Sequence, residues 1–174
     1  SSLLAEARSR IYTMALIHSQ LYESEHFNRI DMVRHTRRLV SFVSQVYREE
    51  RKNIETVIEG SGVYLSVTQA IPCALVMNEI ISNVFKHAYQ ETDGGRLLIS
   101  LAESDDQEVV IRVKDDGRGV PEAVDIENTE TLGLKLARNI ALKQLKGGFE
   151  LIRNHGTEIR ITFPIDHDDL LIHS

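Results

Sequence analysis

The sequence has no tryptophan, one cysteine and only three prolines in 174 residues. Cys73 has no partner within the chain, so no internal disulfide can form and a reducing compartment is expected. Its thiol reads as a small buried hydrophobe rather than a redox centre. Long apolar runs are missing too. None approaches the ~20 residues of a membrane span, and no signal-peptide pattern is visible. There is no excess of positive charge either. The net charge is −6 and the sequence pI about 5.6, which excludes a general nucleic-acid binder working through a basic face. Internal repeats and low-complexity segments are absent. What remains is 42% hydrophobic content, enough for the core of one domain, or of one domain with a helical extension.

Leu4, Ala7, Ile11, Met14, His18 and Leu21 recur at alternating steps of three and four. That is the seam of a helix packing on other helices in a coiled coil or hairpin. No capping pattern opens it, so its partner helix is expected upstream. Residues 22–29 read as a connector. A second helix is predicted over 30–48, with Val33, Leu39, Val40, Val43, Val46 and Tyr47 on one face. Residues 54–58 and 63–65 read as short strands around Gly60-Ser61-Gly62. A third helix is predicted from near Thr68 or Pro72 to Tyr89, with Pro72 admissible only in its first turn. Strands over 96–102 and 109–114 follow, then a polar loop over 121–131. A fourth helix over 132–145 ends at Gly147-Gly148. A last hairpin pairs 149–152 with 158–163 around Asn154-His155-Gly156. From Asp166 the tail is acidic and expected to be loose. This order is α+β: two layers, one sheet covered on one side by three helices, with the seam helix outside the sandwich.

Two short stretches carry the chemistry. At about 100° per residue, Glu79, Asn83, Lys86 and His87 share one face of the third helix. Met77, Ile80, Ile81, Val84, Phe85 and Ala88 fill the opposite arc. An ordinary amphipathic helix shows such a face to water. Here, however, the face holds one carboxylate, one carboxamide, one ammonium and one imidazole, and an interior Asn83 is a poor helix former. An amide oxygen is a hard ligand suited to Mg²⁺ bridging phosphates. Lys86 would meet phosphate charge and His87 could donate to it. The second stretch is Asp115-Asp116-Gly117-Arg118-Gly119. Alternating Val109, Ile111 and Val113 deliver Asp115 to a strand end, and Gly117 and Gly119 let the backbone approach a flat ligand. A carboxylate there can accept from an exocyclic amine such as adenine N6, whereas guanine would oppose it with a carbonyl. An ordinary acidic turn is the rival reading of that stretch.

Together these stretches resemble the ATP-binding part of a sensor histidine kinase, in the superfamily of gyrase, heat-shock ATPase, histidine kinase and MutL (the Bergerat fold). The resemblance is closest to histidine kinases whose core contains Arg-Ile-x-x-Met-Ala-Leu-Ile-His-x-x-Leu-Tyr, which is Arg10 to Tyr22 here. Further matches are Ala70-Ile71-Pro72, Asn78-Glu79 with Asn83 and Lys86-His87-Ala88, Leu132-Gly133-Leu134, and Gly156-Thr157 before Phe163-Pro164. They span residues 8–164 in family order. The resemblance implies a two-layer α/β sandwich with a mixed sheet. It divides the chain into a hairpin remnant over 1–25, an ATP-binding domain over 26–165 and an acidic tail over 166–174. It implies that Asn83 binds Mg²⁺ and that Glu79 orients or deprotonates the group attacking the γ-phosphate. Lys86 and His87 would contact phosphates. Asp115 would bind adenine in a pocket shaped by Gly117 and Gly119. Gly133 would lie where the lid meets the next helix, and Thr157 would line the adenine side.

Two departures stand out. The stretch from Gly119 to Gly133 is short, with the second glycine box reduced to Leu132-Gly133-Leu134. No phosphoacceptor histidine box precedes Arg10, so the acceptor is expected upstream. His18 lies in the seam and reads as structural and partly buried. The other histidines form no zinc-ligand spacing, and no hydrolase triad is visible. The resemblance further implies a response-regulator receiver domain as partner, a homodimer through the completed hairpin, and a cytoplasmic site of action with no membrane contact by this segment, even where the full protein is membrane-anchored. Two rival functions are a gyrase- or MutL-like ATPase clamp and a non-catalytic nucleotide-binding interaction module. The first would need a transducer after Pro164, and the second would not need Glu79, Asn83, Lys86 and Asp115 all in place.

Overall fold

The computed structural model describes residues 2–23, 29–49, 53–60, 62–89, 94–118 and 132–166. Helix α1 (Ser2–Glu23) precedes a short strand β1 (Arg29–Asp31) and helix α2 (Met32–Val46). Asp31 ends β1 and starts α2: its carboxylate accepts from the Val33 and Arg34 N–H groups, both at 3.1 Å. Strands β2 (Ile54–Gly60) and β3 (Tyr64–Ser66) lead into α3 (Val67–Asn83), which passes into a π-helical turn, Val84–Ala88. Strands β4 (Gly95–Glu103) and β5 (Glu108–Asp115), helix α4 (Leu132–Lys143), and strands β6 (Gly148–Arg153) and β7 (Thr157–Pro164) complete the order.

The main sheet runs β2-β4-β5-β7-β6. Only β2 and β4 are parallel, so the sheet is mixed. The alternation seen in the sequence decides which side is inward. Leu97, Ile99 and Leu101 of β4, Val109, Ile111 and Val113 of β5, and Ile159, Ile161 and Phe163 of β7 are all buried. They join one core with Leu39 and Val43 of α2, Met77, Ile80 and Ile81 of α3, and Ala137 and Ile140 of α4. Each of the Val, Leu, Ile, Met and Phe side chains among them contributes about 1.5–3 kcal/mol on burial. The α+β sandwich expected from the sequence is therefore present.

Four details differ from the sequence reading. The strands flanking Gly60 do not pair with each other. β2 joins the main sheet, while β3 pairs with β1 in a separate antiparallel ladder. Helix α3 starts earlier than Pro72 allows under the first-turn rule. Ser66 caps it, accepting from Gln69 N–H at 3.4 Å, and Pro72 lies in the second turn. Helix α1 does not stand apart from the sandwich, because only one of its stripes is a seam. The opposite stripe, Ser9, Thr13, Leu16, Ile17 and Gln20, is buried, and Ile17 belongs to the common core. Tyr12 stacks on Phe42 of α2 with ring centroids 3.8 Å apart. The seam itself faces outward, with Leu4 71% and Ile11 69% exposed. His18 shares that outward face and is exposed rather than partly buried.

Candidate nucleotide site

Asp115 is the last residue of β5 and lies opposite Thr157, the first residue of β7. Both are buried, at 4% and 7% exposure. The Asp115 carboxylate accepts from the Gly117 N–H at 3.0 Å and also from the Thr157 backbone N–H. Burial pushes its carboxyl above the usual carboxylate range; those two N–H groups oppose the shift and neighbouring Asp116 adds to it. Asp116 turns away and accepts from Arg96 N–H at 2.7 Å. Beneath them Tyr89 is buried, and its hydroxyl donates to Arg96 O at 2.7 Å.

The turn after Asp115 is pinned to the end of the helix that bears the other candidate groups. Arg118 N–H donates to Ala88 O at 2.9 Å. A Cβ on Gly117 would lie 2.2 Å from that same oxygen, so only glycine fits. The two sequence stretches thus meet at Ala88. Gly119 lies outside the described residues, as does the loop over 119–131.

On the helix, Glu79 is 7% exposed, so this face is not open to water as an ordinary amphipathic helix would be. Asn83, Lys86 and His87 are half-buried. Lys86 and His87 sit in the π-helical turn, which breaks the 100° spacing assumed from the sequence. Such turns are frequent at functional sites. Burial lowers the Lys86 ammonium below the ordinary lysine value. Gly133 stands in the first turn of α4 directly against Glu79: a Cβ there would be 2.9 Å from Oε2.

Three residues that sequence reasoning gave no role complete the surroundings, and all come from α1. Arg10 Nε–H donates to Glu79 Oε1 at 2.6 Å. This hydrogen bond is the main reason the Arg10 guanidinium holds its proton more firmly than usual. Ser9 donates to the Asn78 side-chain oxygen at 2.5 Å. Glu6 forms an ion pair with Lys86. The available signal was modest: Glu6, Ser9 and Arg10 lie at i, i+3 and i+4 and so share one side of α1.

Among the described residues no group of three or more His, Cys, Asp and Glu could hold a metal ion unaided. The half-buried Asn83 carboxamide, one turn beyond Glu79, suits a Mg²⁺ that is carried on phosphates and needs only one or two protein ligands.

A family model described as histidine kinase-, DNA gyrase B- and HSP90-like ATPase matches residues 68–167. The chain belongs to that family. A second model, described as histidine kinase, matches residues 1–47 of this family member. Sensor histidine kinase PdtaS of Mycobacterium tuberculosis is 26% identical over 166 residues, covering 93% of this chain and 32% of its own length. Blue-light-activated histidine kinase 2 of Erythrobacter litoralis is 25% identical over 141 residues, covering 78% of this chain and 38% of its own length. The chain therefore spans about a third of these relatives. Among solved structures, the histidine kinase domain of an Erythrobacter litoralis blue-light activated histidine kinase superposes with a TM-score of 0.83. It has 22% identity and covers 96% of this ATPase-family chain and 78% of its own. The shared fold is thus that of a histidine kinase ATPase domain.

Proposed function

We propose that this chain is the ATP-binding catalytic part of a two-component sensor histidine kinase. The reaction would move the γ-phosphoryl of ATP to a histidine nitrogen, for relay to an aspartate on a response-regulator receiver domain. One observation carries the reading: Gly117 packed on Ala88 joins the buried Asp115–Thr157 corner to the helix of Glu79, Asn83, Lys86 and His87. The names of the relatives, sensor and blue-light-activated histidine kinases, support it.

On this reading Asp115 accepts from adenine N6, with Gly117, Gly119 and Thr157 shaping the pocket. Asn83 would hold a Mg²⁺ that neutralises phosphate charge when bound. Lys86 and His87 would contact phosphate oxygens, and Gly133 would admit the substrate beside Glu79. Glu79 orients the attacking imidazole or takes its proton. The imidazole nitrogen forms the P–N bond as the bond to the bridging oxygen breaks and ADP leaves. Positioning and charge neutralisation are the main demands of such a transfer.

We divide the chain into residues 1–25 from a dimerisation hairpin, 26–165 as the ATP-binding domain, and 166–174 as a tail. The seam exposed on α1 supports a homodimer through the completed hairpin. A cytoplasmic site of action is part of the kinase reading itself; among the described residues no helix is long and apolar enough to cross a membrane. Equilibrium titration with Mg–ATP tests the site. Asp115→Asn and Asn83→Ala should each weaken binding by at least about tenfold, the size expected for one charge-assisted contact. Unchanged affinity in both overturns the assignment.

A further inference from the structure

Glu79 is bonded from α1 and flanked by the first turn of α4, and neither is its own helix. Arg10 of α1 takes Oε1 at 2.6 Å. Oε2 faces the first turn of α4, where a Cβ on Gly133 would lie 2.9 Å away and oblige the carboxylate end to shift. The contact is mostly enclosed, with the Glu79 side chain 8% and the Arg10 side chain 36% exposed. Ser9, beside Arg10, holds Asn78 at 2.5 Å and so fixes the same turn of α3. A guanidinium Nε–H has a direction set by its plane, which a lysine ammonium lacks.

We propose that Arg10 is a positioning residue for phosphoryl transfer, fixing the Glu79 carboxylate from the α1 helix so that the site is complete only with α1 docked. The inference rests on the reading that Glu79 orients or deprotonates the attacking imidazole. A carboxylate displaced by about 1 Å costs on the order of 100-fold in such a reaction.

The test uses this chain with Mg–ATP and a separately supplied hairpin helix bearing an acceptor histidine. ATP affinity, melting temperature and maximal transfer rate are measured separately. Arg10→Gln should leave affinity within about twofold while the rate falls roughly 10- to 100-fold. Arg10→Lys should recover part of that loss. The double variant R10Q/E79Q should be no slower than E79Q, because the two residues act as one unit. R10Q transferring at the parental rate overturns the proposal, and so does a loss that multiplies with that of E79Q. A rate loss matched by a fall in ATP affinity and melting temperature, unrescued by Arg10→Lys, marks a merely structural contact and also overturns it. If E79Q itself transfers at the parental rate, the reading of Glu79 fails and the role of Arg10 falls with it. If E79Q is slow and R10Q is not, Arg10 alone is wrongly assigned. No transfer by the parental chain overturns the kinase reading and this inference together.

Discussion

The proposed role of Asp115 as the adenine acceptor sets ligand binding against the stability of the fold. Its carboxyl is raised chiefly by burial, so the folded chain binds its proton more readily than the unfolded chain. The sign follows: its contribution to stability is largest at low pH and is lost as pH rises through the folded value. At neutral pH the ionised group weighs against folding. Asp115→Asn keeps an oxygen for the Gly117 N–H and sheds the charge. We expect it to melt at or above the parental temperature while Mg–ATP affinity falls about 10- to 100-fold; thermal melts with and without nucleotide measure both. His35 behaves in the opposite way. It is fully buried, Nδ1 faces Gln20 Oε1 at 3.1 Å, and Nε2 has no hydrogen-bond partner among the described residues. Burial, with Arg38 adding, lowers it from 6.5 to about 4. The unfolded chain therefore takes up a proton first as pH falls. Stability held above pH 6.5 should drop by roughly 3 kcal/mol on approaching pH 4 through this residue. Denaturant melts across that range should show the acid slope, and His35→Gln should flatten it.

At the scale of elements, α1 makes the difference between what the sequence discloses and what the fold adds. Alternation in β5 already placed Asp115 at a strand end, and helical spacing already gathered Glu79 and Asn83. Those are local patterns. The partners of Glu79, Asn78 and Lys86 come from Arg10, Ser9 and Glu6, some 70 to 80 positions away, so no local pattern could pair them. The π-helical turn was equally hidden, since Val84-Phe85-Lys86-His87-Ala88 has the composition of a regular helix. The pairing of β1 with β3 likewise depends on a non-local return of the chain. One consequence belongs to α1. Glu6 occupies Lys86, which is assigned here to a phosphate, so Glu6 and nucleotide compete for one ammonium. Glu6→Gln should tighten Mg–ATP binding a few-fold at low salt and less at high salt, because a partly exposed pair is screened. Calorimetric titration at two ionic strengths checks this, with Lys86→Ala as the reference that should weaken binding. An affinity unmoved by Glu6→Gln would mean that the pair opens at no cost.

For the whole molecule, α1 has two working faces at once. Its inner stripe is sealed into the same core as the sheet, so the segment matched as histidine kinase and the segment matched as ATPase fold as one body. Its outer stripe leaves Leu4, Ile11 and Met14 exposed at seam spacing, the surface a hairpin partner would cover. On the proposed reading, a helix bonded inwardly to Glu79 and covered outwardly by a hairpin partner would tie the geometry of the reaction to the state of that hairpin. On the proposed kinase reading these residues would supply the donor half of the transfer, with the acceptor on the hairpin's other helix. His18 is the seam histidine that could be mistaken for it, yet it sits on α1's outward face while Arg10 and Glu6 reach the site from the inner one. With labelled ATP the chain alone should therefore gain little acid-labile phosphate. Adding a hairpin helix with an acceptor histidine should produce label on that helix, and His18→Ala should leave the yield unchanged. Strong self-labelling abolished by His18→Ala would move the acceptor onto α1 and reverse this division between donor and acceptor.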